Sequence, residues 1–300
     1  MLQTILVPLD GSAFAERALP YAEALALWAE ARLLLMRAVH LRSLPGWHRD
    51  AADRRAVEAA AQYLDQVAEG LRTSGLEVET AVLHGEAAAA ILDEVRIAAA
   101  DLVVMSTHGH GGLGRWLHGG VADQLLRQAT VPVLLVPPTC DRGWDQGRPL
   151  RLLVPLDGSS FAEEALEPIG DLARTLEVEV RLLEIVEPSS VVGADGFVYA
   201  AFDPDGDLRT ANSYLAEVCE LLRARGAAVE ASAFFGHPVA AIVEHAGDDG
   251  ADLIALATHG HGDLAQMLIG NICSGRLEQG CVPLLLVRPD SIHRPPTASG

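Results

Sequence analysis

Short apolar runs alternate along this chain with longer segments in which apolar residues recur at helical spacing. The runs are apolar almost throughout, which is typical of strands in a parallel sheet that is covered on both faces. In the first part of the chain we predict strands at 4–9, 32–39, 77–83, 102–105 and 131–136, and helices at about 14–30, 52–74, 87–99 and after Gly120. This alternation predicts an α/β fold with a doubly wound, Rossmann-like parallel sheet and right-handed crossovers.

The same pattern starts again in the second part of the chain. The segment Leu153–Leu166 repeats Leu6–Leu19 almost letter for letter, and self-similarity of this kind indicates a tandem repeat. The second copy is slightly longer, and we place its extra residues in a Gly-, Pro- and Asp-bearing loop at 187–206. The repeat predicts a domain at 1–138, a turn-rich linker at 139–149 with Trp144 packed against the protein, a second domain at 150–290, and a disordered tail at 291–300.

One stretch organises each half: a strand, a glycine-rich loop and a helix. In the first half, the strand that begins after Asp101 leads into the glycines of 109–114, and Gly119 and Gly120 precede the next helix. The second half repeats this as Asp252–Gly262, with Gly270 and Asn271 before its helix. Such a loop leaves backbone N–H groups uncovered beside the positive end of a helix dipole, so it suits an anion such as a phosphate.

Charge and composition exclude several classes of function. The formal net charge is −19, from 41 acidic and 22 basic residues, which argues against a nucleic-acid backbone or an anionic membrane as the main partner. All the basic residues are arginines. The absence of lysine removes the lysine-dependent P-loop and every Schiff-base mechanism.

The four cysteines show no CxxC spacing, and we expect them to be reduced thiols of a cytoplasmic protein. They are Cys140, Cys219, Cys273 and Cys281. The chain enters its first strand without a basic leader or a cleavage site, and no apolar run reaches the length of a membrane span. We therefore expect a protein without membrane attachment.

Two features of each half resemble a known family: the first-strand Val-Pro-Leu-Asp-Gly-Ser, and a late glycine signature with a nine-residue gap. Each half resembles a universal stress protein domain of the UspA type, a branch of the adenine-nucleotide α-hydrolase-like superfamily. The resemblance covers about 3–138 and 150–289. It implies a stress-response or regulatory protein that binds an adenine nucleotide (ATP, ADP or AMP, with or without Mg²⁺) and holds no structural metal.

The resemblance also implies which residues form the sites. In that family the first-strand proline and aspartate and the valine that ends the second strand hold adenine and ribose, and the glycine signature holds the phosphates. The corresponding residues of the first half are Pro8, Asp10, Val39, Ser106, Gly109, Arg115, Gly119, Gly120 and Val121. Those of the second half are Pro155, Asp157, Val186, Ala257, Gly260, Gly270, Asn271 and Ile272.

Both halves depart from the family's signature. Its first glycine is replaced by Ser106 and Ala257, and its closing hydroxyl residue by Gly120 and Asn271. The first half keeps a cation near the phosphates, whereas the second places an acidic residue there. The residues concerned are Arg115, its counterpart Gln266, and Asp263. We therefore predict that the first half binds a nucleotide more tightly.

Other functions compete with nucleotide binding. One competing interpretation is that Asp10 and Asp157 do no more than cap the first helix of each half, with Ser12 as the N-cap in the first. The repeated strand–Asp-Gly-Ser pattern favours a ribose or adenine contact instead. A non-nucleotide interaction module with eroded sites remains an alternative, and so does an NAD-binding oxidoreductase, because Gly109–Gly114 spells G-x-G-x-x-G. The oxidoreductase lacks the acidic residue expected about 20 residues further on.

Metal binding and hydrolysis are not favoured by the sequence. The four loop histidines lack carboxylate or thiolate partners at metal spacing, and no G-x-S-x-G elbow is present. They are His108, His110, His259 and His261. We expect at most a slow ATPase, with Asp10 and Asp123 as the only acidic candidates.

The last strand of each half is fully apolar, at Val131–Val136 and Val282–Val287. An unpaired apolar edge is an aggregation hazard. We therefore predict that the two strands pair within one chain to form an intramolecular pseudo-dimer, with a further homodimer as an option.

Overall fold

The structure is a computed structural model. It describes residues 2–40, 50–107, 120–140, 143–144, 147–163, 165–175, 178–187, 190–192, 198–200, 203–257, 268 and 282–288. Among these residues, no helix is both long enough and apolar enough to cross a membrane.

The first half is a five-stranded parallel sheet with helices on both faces. Its strands are β1 (Thr4–Pro8), β2 (Arg32–Val39), β3 (Val78–His84), β4 (Leu102–Ser106) and β5 (Val133–Val136). Its helices are α1 (Leu19–Ala29), α2 (Asp50–Arg72), α3 (Ala87–Ile97) and α4 (Val121–Gln128), with a 3-10 helix at Ala15–Ala18. The strand order is β3-β2-β1-β4-β5, and all four pairings are parallel. The predicted doubly wound fold is confirmed.

The second half repeats this arrangement. Its sheet strands are β6 (Leu150–Leu156), β7 (Val178–Val186), β10 (Ala228–Phe235), β11 (Leu253–Ala257) and β12 (Leu284–Val287). Its helices are α5 (Ser160–Glu163), α6 (Leu166–Thr175), α7 (Pro204–Ala224) and α8 (Pro238–Asp248). The order β10-β7-β6-β11-β12 matches that of the first half, strand for strand.

The two last strands join the halves into one ten-stranded sheet. β5 pairs antiparallel with β12, so that Leu135 lies opposite Leu284 and Leu134 opposite Leu285. This is the pairing predicted for the two apolar edges. All four side chains are at most 5% exposed, because helices cover both faces of the sheet on either side of the junction.

The apolar core forms one layer on each face of the sheet, and both layers continue across the junction. Consecutive residues of β5 point to opposite faces, so Leu134 packs in the layer that contains Leu285, and Leu135 in the layer that contains Leu284. The first layer is covered by α1, α2, α6 and α7, and the second by α3, α4 and α8. The halves therefore share their core as well as their sheet.

The linker is anchored at the boundary between the halves. The Trp144 ring stacks on Trp28 and meets Tyr21 edge-on, with centroids 5.9 and 4.9 Å apart, and its indole N–H donates to the carbonyl of Asp252 at 2.8 Å. The packed Trp144 is thus confirmed. Its neighbour Gly143 must be glycine, since a Cβ there would lie 2.9 Å from Cβ of Pro20.

Polar contacts reinforce this boundary. Nη1 and Nη2 of Arg148 each donate to the Asp252 carboxylate at 2.6 Å, and Asp252 also accepts the backbone N–H of Arg151 at 2.9 Å. Arg288, just after β12, donates to the backbone carbonyl of Arg127 near the end of α4.

Three sequence predictions differ from the structure. The loop at 187–206 contains a two-stranded antiparallel hairpin, β8 (Ser190–Val192) and β9 (Val198–Ala200), because its valines favour pairing over the open loop that Gly and Pro suggested. Its end belongs to α7, capped by Asp203, which accepts the N–H of Gly206 at 3.0 Å. The first helix begins as a 3-10 turn, because Pro20 supplies no N–H for a regular first turn.

The third difference concerns the cysteines. Cys140 is disulfide-bonded, so the prediction of a reduced thiol was wrong at this position. Cys219 is a free, buried thiol, and burial raises its pKa. Cys273, Cys281 and the predicted disordered tail lie outside the described residues.

Candidate functional site

The candidate site lies at the carboxyl edge of each half-sheet, where the strand order reverses. In the first half β1 pairs with β2 on one side and with β4 on the other, so the chain leaves β1 and β4 toward opposite faces. A crevice at such a switch point is where doubly wound sheets bind ligands. The glycine-rich segment follows β4, not β1, so the first-strand position of a dinucleotide fingerprint is not met.

A tight turn follows β1. Oδ1 of Asp10 accepts the backbone N–H of Ser12 at 2.9 Å and its hydroxyl at 2.6 Å. The Ser12 Oγ in turn accepts the N–H of Ala15 at 3.1 Å, which is the capping contact predicted for it. Gly11 has φ 84°, a conformation that favours glycine. One carboxylate oxygen of Asp10 therefore holds the turn, and a ribose contact by this residue stays a prediction.

The second half builds the same turn after β6. Oδ1 of Asp157 accepts the N–H and the hydroxyl of Ser159 at 3.0 and 2.5 Å, and Ser159 Oγ accepts the N–H of Ala162 at 3.1 Å. Identical hydrogen bonds in both halves explain why Asp-Gly-Ser occurs twice in the sequence.

The N-terminus of α4 supplies an anion-binding feature at the same edge. Gly120 is its extended N-cap residue, and no side chain caps the helix start among the described residues. The first N–H groups of a helix lack intrahelical partners, and the helix dipole places partial positive charge there. Asp123 lies in this first turn, but its carboxylate pairs with Arg127 one turn further on, at 3.1 Å.

Small side chains end β4 and β11. Ser106 is 6% exposed and pairs with Val136, and Ala257 pairs with Val287 at the equivalent place. Thr107, the residue after Ser106, is also buried. Of the two departures from the first glycine of the signature, Ser106 is buried at its strand end and Ala257 is half-buried.

The described part of the first site comprises residues from four elements at one edge of the sheet. The ends of β1, β2 and β4 and the start of α4 contribute Pro8, Asp10, Val39, Ser106, Gly120 and Val121. Those of the second site are Pro155, Asp157, Val186 and Ala257. Gly109, Arg115, Gly119, Gly260, Gly270, Asn271 and Ile272 lie outside the described residues, as do Asp263, Gln266 and the four loop histidines.

A charged cluster beside the first turn was missed from the sequence. The Arg37 guanidinium lies against Gly11, where a Cβ would be 3.0 Å from Nη1, and its Cζ is 5.2 Å from the ring centroid of Tyr63. The Tyr63 hydroxyl donates to Glu16 at 2.8 Å. Burial, followed by the Glu16 carboxylate, raises the pKa of Tyr63 well above its usual value. The sequence feature that could have indicated this cluster is Arg37 itself, a charged residue near the end of an otherwise apolar strand.

The second half has a different cluster at the equivalent place. Burial, and then the charge of Asp157, raises the pKa of the Glu184 carboxyl. Burial also raises the pKa of Tyr214, with smaller contributions from Glu163, Glu184 and Asp157. Glu184 Oε2 is buried without a hydrogen-bond partner within the part of the chain that the structure describes. Glu163 acts on Tyr214 through its charge and through a side-chain hydrogen bond.

No group of three or more His, Cys, Asp or Glu side chains suited to a metal ion occurs among the described residues.

Comparison with known proteins gives a consistent family assignment. The model of the universal stress protein family matches residues 1–137 and 150–288. A universal stress protein of Mycobacterium tuberculosis is 28% identical over 189 residues, which cover 63% of this chain and 62% of the relative. One of Thermus aquaticus is 35% identical over 138 residues, 45% of this chain and 99% of the relative.

Solved structures show the same fold over nearly the whole chain. A universal stress protein of Archaeoglobus fulgidus has a TM-score of 0.69 at 19% identity, covering 95% of this chain and 98% of its own. A protein described as a putative universal stress protein from Pseudomonas aeruginosa has a TM-score of 0.60 at 19% identity, covering 97% and 95%.

Proposed function

This chain is a tandem member of the universal stress protein family, and we propose that its first half binds an adenine nucleotide, namely ATP, ADP or AMP. The observation that carries the proposal is the start of α4 at the switch point, which no side chain of the described residues caps, on the same edge as the turn held by Asp10. An anion beside α4 would gain backbone donors and a favourable dipole. A ribose beside β1 would find a carboxylate that the turn already orients.

Under this proposal each element has a separate task. The ends of β1 and β2 hold adenine and ribose, and the glycine segment with the start of α4 holds the phosphates. The residues for the first task are Pro8, Asp10 and Val39. Those for the second are Ser106, Gly109, Arg115, Gly119, Gly120 and Val121. The second half uses Pro155, Asp157, Val186, Ala257, Gly260, Gly270, Asn271 and Ile272, and we propose that it binds nucleotide more weakly.

We propose little or no catalysis and a regulatory role in a cytoplasmic stress response. The chain has no lysine, and the Asp123 carboxylate is held by Arg127. Any Mg²⁺ is proposed to arrive with the nucleotide's phosphates. Positioning without activation leaves hydrolysis slow.

Isothermal titration with ATP and with ADP tests the proposal. Asp10→Asn is the sharpest variant, because asparagine keeps an Oδ1 acceptor for Ser12 but removes the charge and presents a donor to the ribose. We expect wild type to bind and Asp10→Asn to lose at least about tenfold in affinity, roughly 1.4 kcal/mol. Gly109→Val provides an independent variant on the phosphate side.

Absence of binding at millimolar ATP would overturn the nucleotide proposal and favour the interaction module. Retention of NAD(H) through purification would instead favour the oxidoreductase.

We also propose that the intramolecular pairing takes the place of a dimer interface. The antiparallel contact of β5 with β12 supports this. Light scattering on the purified chain is expected to give the mass of one chain, 31.8 kDa. A mass of twice that value would show that a homodimer forms in addition.

A further inference from the structure

One buried cysteine beside the junction of the halves carries a covalent bond. Cys140 follows the end of β5, is disulfide-bonded and is 1% exposed. It packs in the first core layer, which also contains Leu134 and Leu285 of the two joined strands. Its backbone N–H donates to the Pro137 carbonyl at 3.1 Å. The chain therefore turns back at 137–140 and keeps Cys140 beside one end of the β5–β12 pairing.

The partner of Cys140 is one of two residues. The chain has three other cysteines, Cys219, Cys273 and Cys281. Cys219 is a buried free thiol, so the bond joins Cys140 to Cys273 or to Cys281. Both of these residues lie outside the described part of the chain, but their described neighbours distinguish them.

We propose that Cys140 is bonded to Cys281, and that this bond is a redox-dependent covalent link between the linker and the second half, across the end of the junction. The inference is independent of nucleotide binding, because it uses only the pairing of β5 with β12 and the positions of the cysteines.

The register of the joined strands favours Cys281. β5 and β12 are antiparallel, with Leu135 opposite Leu284, so each step forward from Leu135 corresponds to one step back from Leu284. Three steps bring Cys281 opposite Pro138, inside the turn that ends at Cys140. Opposite residues of antiparallel strands have Cα atoms about 4.5–5.5 Å apart, and a disulfide needs about 4.4–6.8 Å. A cysteine opposite this turn is therefore within reach of Cys140.

The alternation of side chains along β12 gives the same answer. Val282 and Leu284 pack in the second core layer and Leu285 in the first, as expected when successive residues of a strand point to opposite faces. Carried back one residue from Val282, this alternation assigns Cys281 to the first layer. Cys140 packs in that layer.

The repeat assigns Cys273 to the other face of the sheet. Cys273 comes two residues after Asn271, and its counterpart in the first half is Ala122, two residues after Gly120. Ala122 is 4% exposed and packs in the second layer. A residue at the equivalent place in the second half is separated from Cys140 by the sheet itself, so Cys281 is the partner that the fold favours.

The bond would hold one end of the junction only. At the other end, Arg288 donates to the backbone carbonyl of Arg127. The residues that occupy the places of the two cysteines at that end of the repeat are Thr130 and Ser291, whose hydroxyl groups cannot form a disulfide. The covalent link is therefore a feature of one end, and not of the repeated fold.

Thiol–disulfide exchange makes and breaks this link. One cysteine thiolate attacks a low-molecular-weight disulfide and releases one small thiol, and the second cysteine thiolate then displaces the other. Two protein thiols are oxidised, the small disulfide is reduced to two thiols, and the two protons pass to those thiols. A reducing thiol pool drives the reverse exchange. The link closes a loop of about 140 residues, which restricts the unfolded chain and so stabilises the fold.

Mass spectrometry of tryptic peptides identifies the bond. Trypsin cleaves after arginine except before proline, and this separates the four cysteines into the peptides 128–142, 210–223, 226–276 and 277–300. The full chain is equilibrated with oxidised glutathione, and the remaining thiols are then alkylated. We expect 128–142 to be cross-linked to 277–300 and to be released by dithiothreitol. A cross-link of 128–142 to 226–276, or no cross-link of 128–142 after this treatment, overturns the proposal.

Cys281→Ser and Cys273→Ser form a matched pair that tests the consequence for stability. In urea denaturation we expect the midpoint of oxidised wild type to lie about 1 M above that of the reduced protein. Cys273→Ser should keep this difference, and Cys281→Ser should abolish it. A difference that survives in Cys281→Ser, or is lost in both variants, contradicts the assignment.

Reducing conditions provide the folding control. The link is then absent from every protein, so Cys281→Ser should have the midpoint of reduced wild type. If this variant fails to fold, Cys281→Ala replaces it in the same comparison. A cross-link to 277–300 that leaves the midpoint unchanged would overturn the stabilising role of the link.

Discussion

Trp144 is expected to hold the linker and the two halves together, and its replacement by alanine gives the sharpest test of their packing. Its ring contacts Tyr21 and Trp28 of the first half, and its N–H reaches the Asp252 carbonyl of the second. Two aromatic pairs contribute about 2 kcal/mol together, and the hydrogen bond about 1 kcal/mol. The side chain is half-buried, so we expect Trp144→Ala to cost about 3 kcal/mol, at the lower end for a tryptophan deletion.

Trp144→Phe separates the two contributions. Phenylalanine keeps an aromatic ring between Tyr21 and Trp28 but cannot donate to Asp252, so we expect a cost of about 1 kcal/mol, with some added loss from the smaller ring. Ile97→Ala is the matched control, because this side chain is 77% exposed and its truncation is expected to change stability by less than about 0.5 kcal/mol.

Equilibrium urea denaturation of the full chain is the assay, followed by far-UV circular dichroism because the substitution itself alters tryptophan fluorescence. The midpoint should fall while the slope stays constant, as for a change in stability alone. A cost for Trp144→Ala no larger than that of Ile97→Ala would refute the anchoring role. Equal costs for the alanine and phenylalanine variants would show that the rings contribute nothing beyond the hydrogen bond.

Three further predictions concern the pairing of β5 with β12, the Glu184 carboxyl of the second half, and the ion pair of Arg148 with Asp252. Leu135→Ala should destabilise the chain by about 2–5 kcal/mol in the same denaturation assay, because this side chain is fully buried opposite Leu284. Burial, and then the Asp157 charge, raises the pKa of Glu184 above its ordinary value of 4.5, so the protonated carboxyl contributes stability at lower pH and this contribution is lost as pH rises through the folded pKa. Glu184→Gln should therefore gain stability relative to wild type from pH 4 toward neutrality, by on the order of 1 kcal/mol for a half-buried carboxyl that keeps part of its contact with solvent. Parallel pH profiles of the two proteins would contradict this. Arg148→Met should lower stability at low salt by about 1–3 kcal/mol, because it leaves the part-buried Asp252 without its two charge-assisted hydrogen bonds, and a null result would show that solvent replaces them.

The sequence predicted the fold well because its strands are buried on both faces. A run such as Leu102–Met105 can be a continuous apolar strand only in a covered parallel sheet, and the structure extends it by one residue, to Ser106. Because the sequence repeats, the same strands and helices could be predicted for the second half. The pairing of the last strands also followed from the sequence, since each presented an apolar edge that needed a partner.

Features that depend on contacts distant in the chain were harder to predict. Cys140 was expected to be reduced because spacing carries no information about a partner brought near by folding. The hairpin of β8 and β9 was read as an open loop because its Gly, Pro and Asp residues outweighed two short valine-bearing segments. At the site, the turn hydrogen bonds of Asp10 and Asp157 follow from Asp-Gly-Ser alone, since each spans only two residues.

The two copies also differ in charge at one strand position, which is Arg37 in the first half and Glu184 in the second. The sequence analysis compared the two copies at the glycine signature. There they differ in small residues and in Arg115, whose counterpart is Gln266. The largest change of charge at described positions lies instead on the second strand of each sheet. The structure shows that this change of charge lies beside the turn after the first strand of each half. Arg37 contacts Gly11, and the charge of Asp157 raises the pKa of Glu184. The turn and the fold are retained in both copies because they depend on short-range hydrogen bonds and on burial, which a change at this position leaves intact. The duplicated turn therefore keeps its architecture while the charge beside it is reversed.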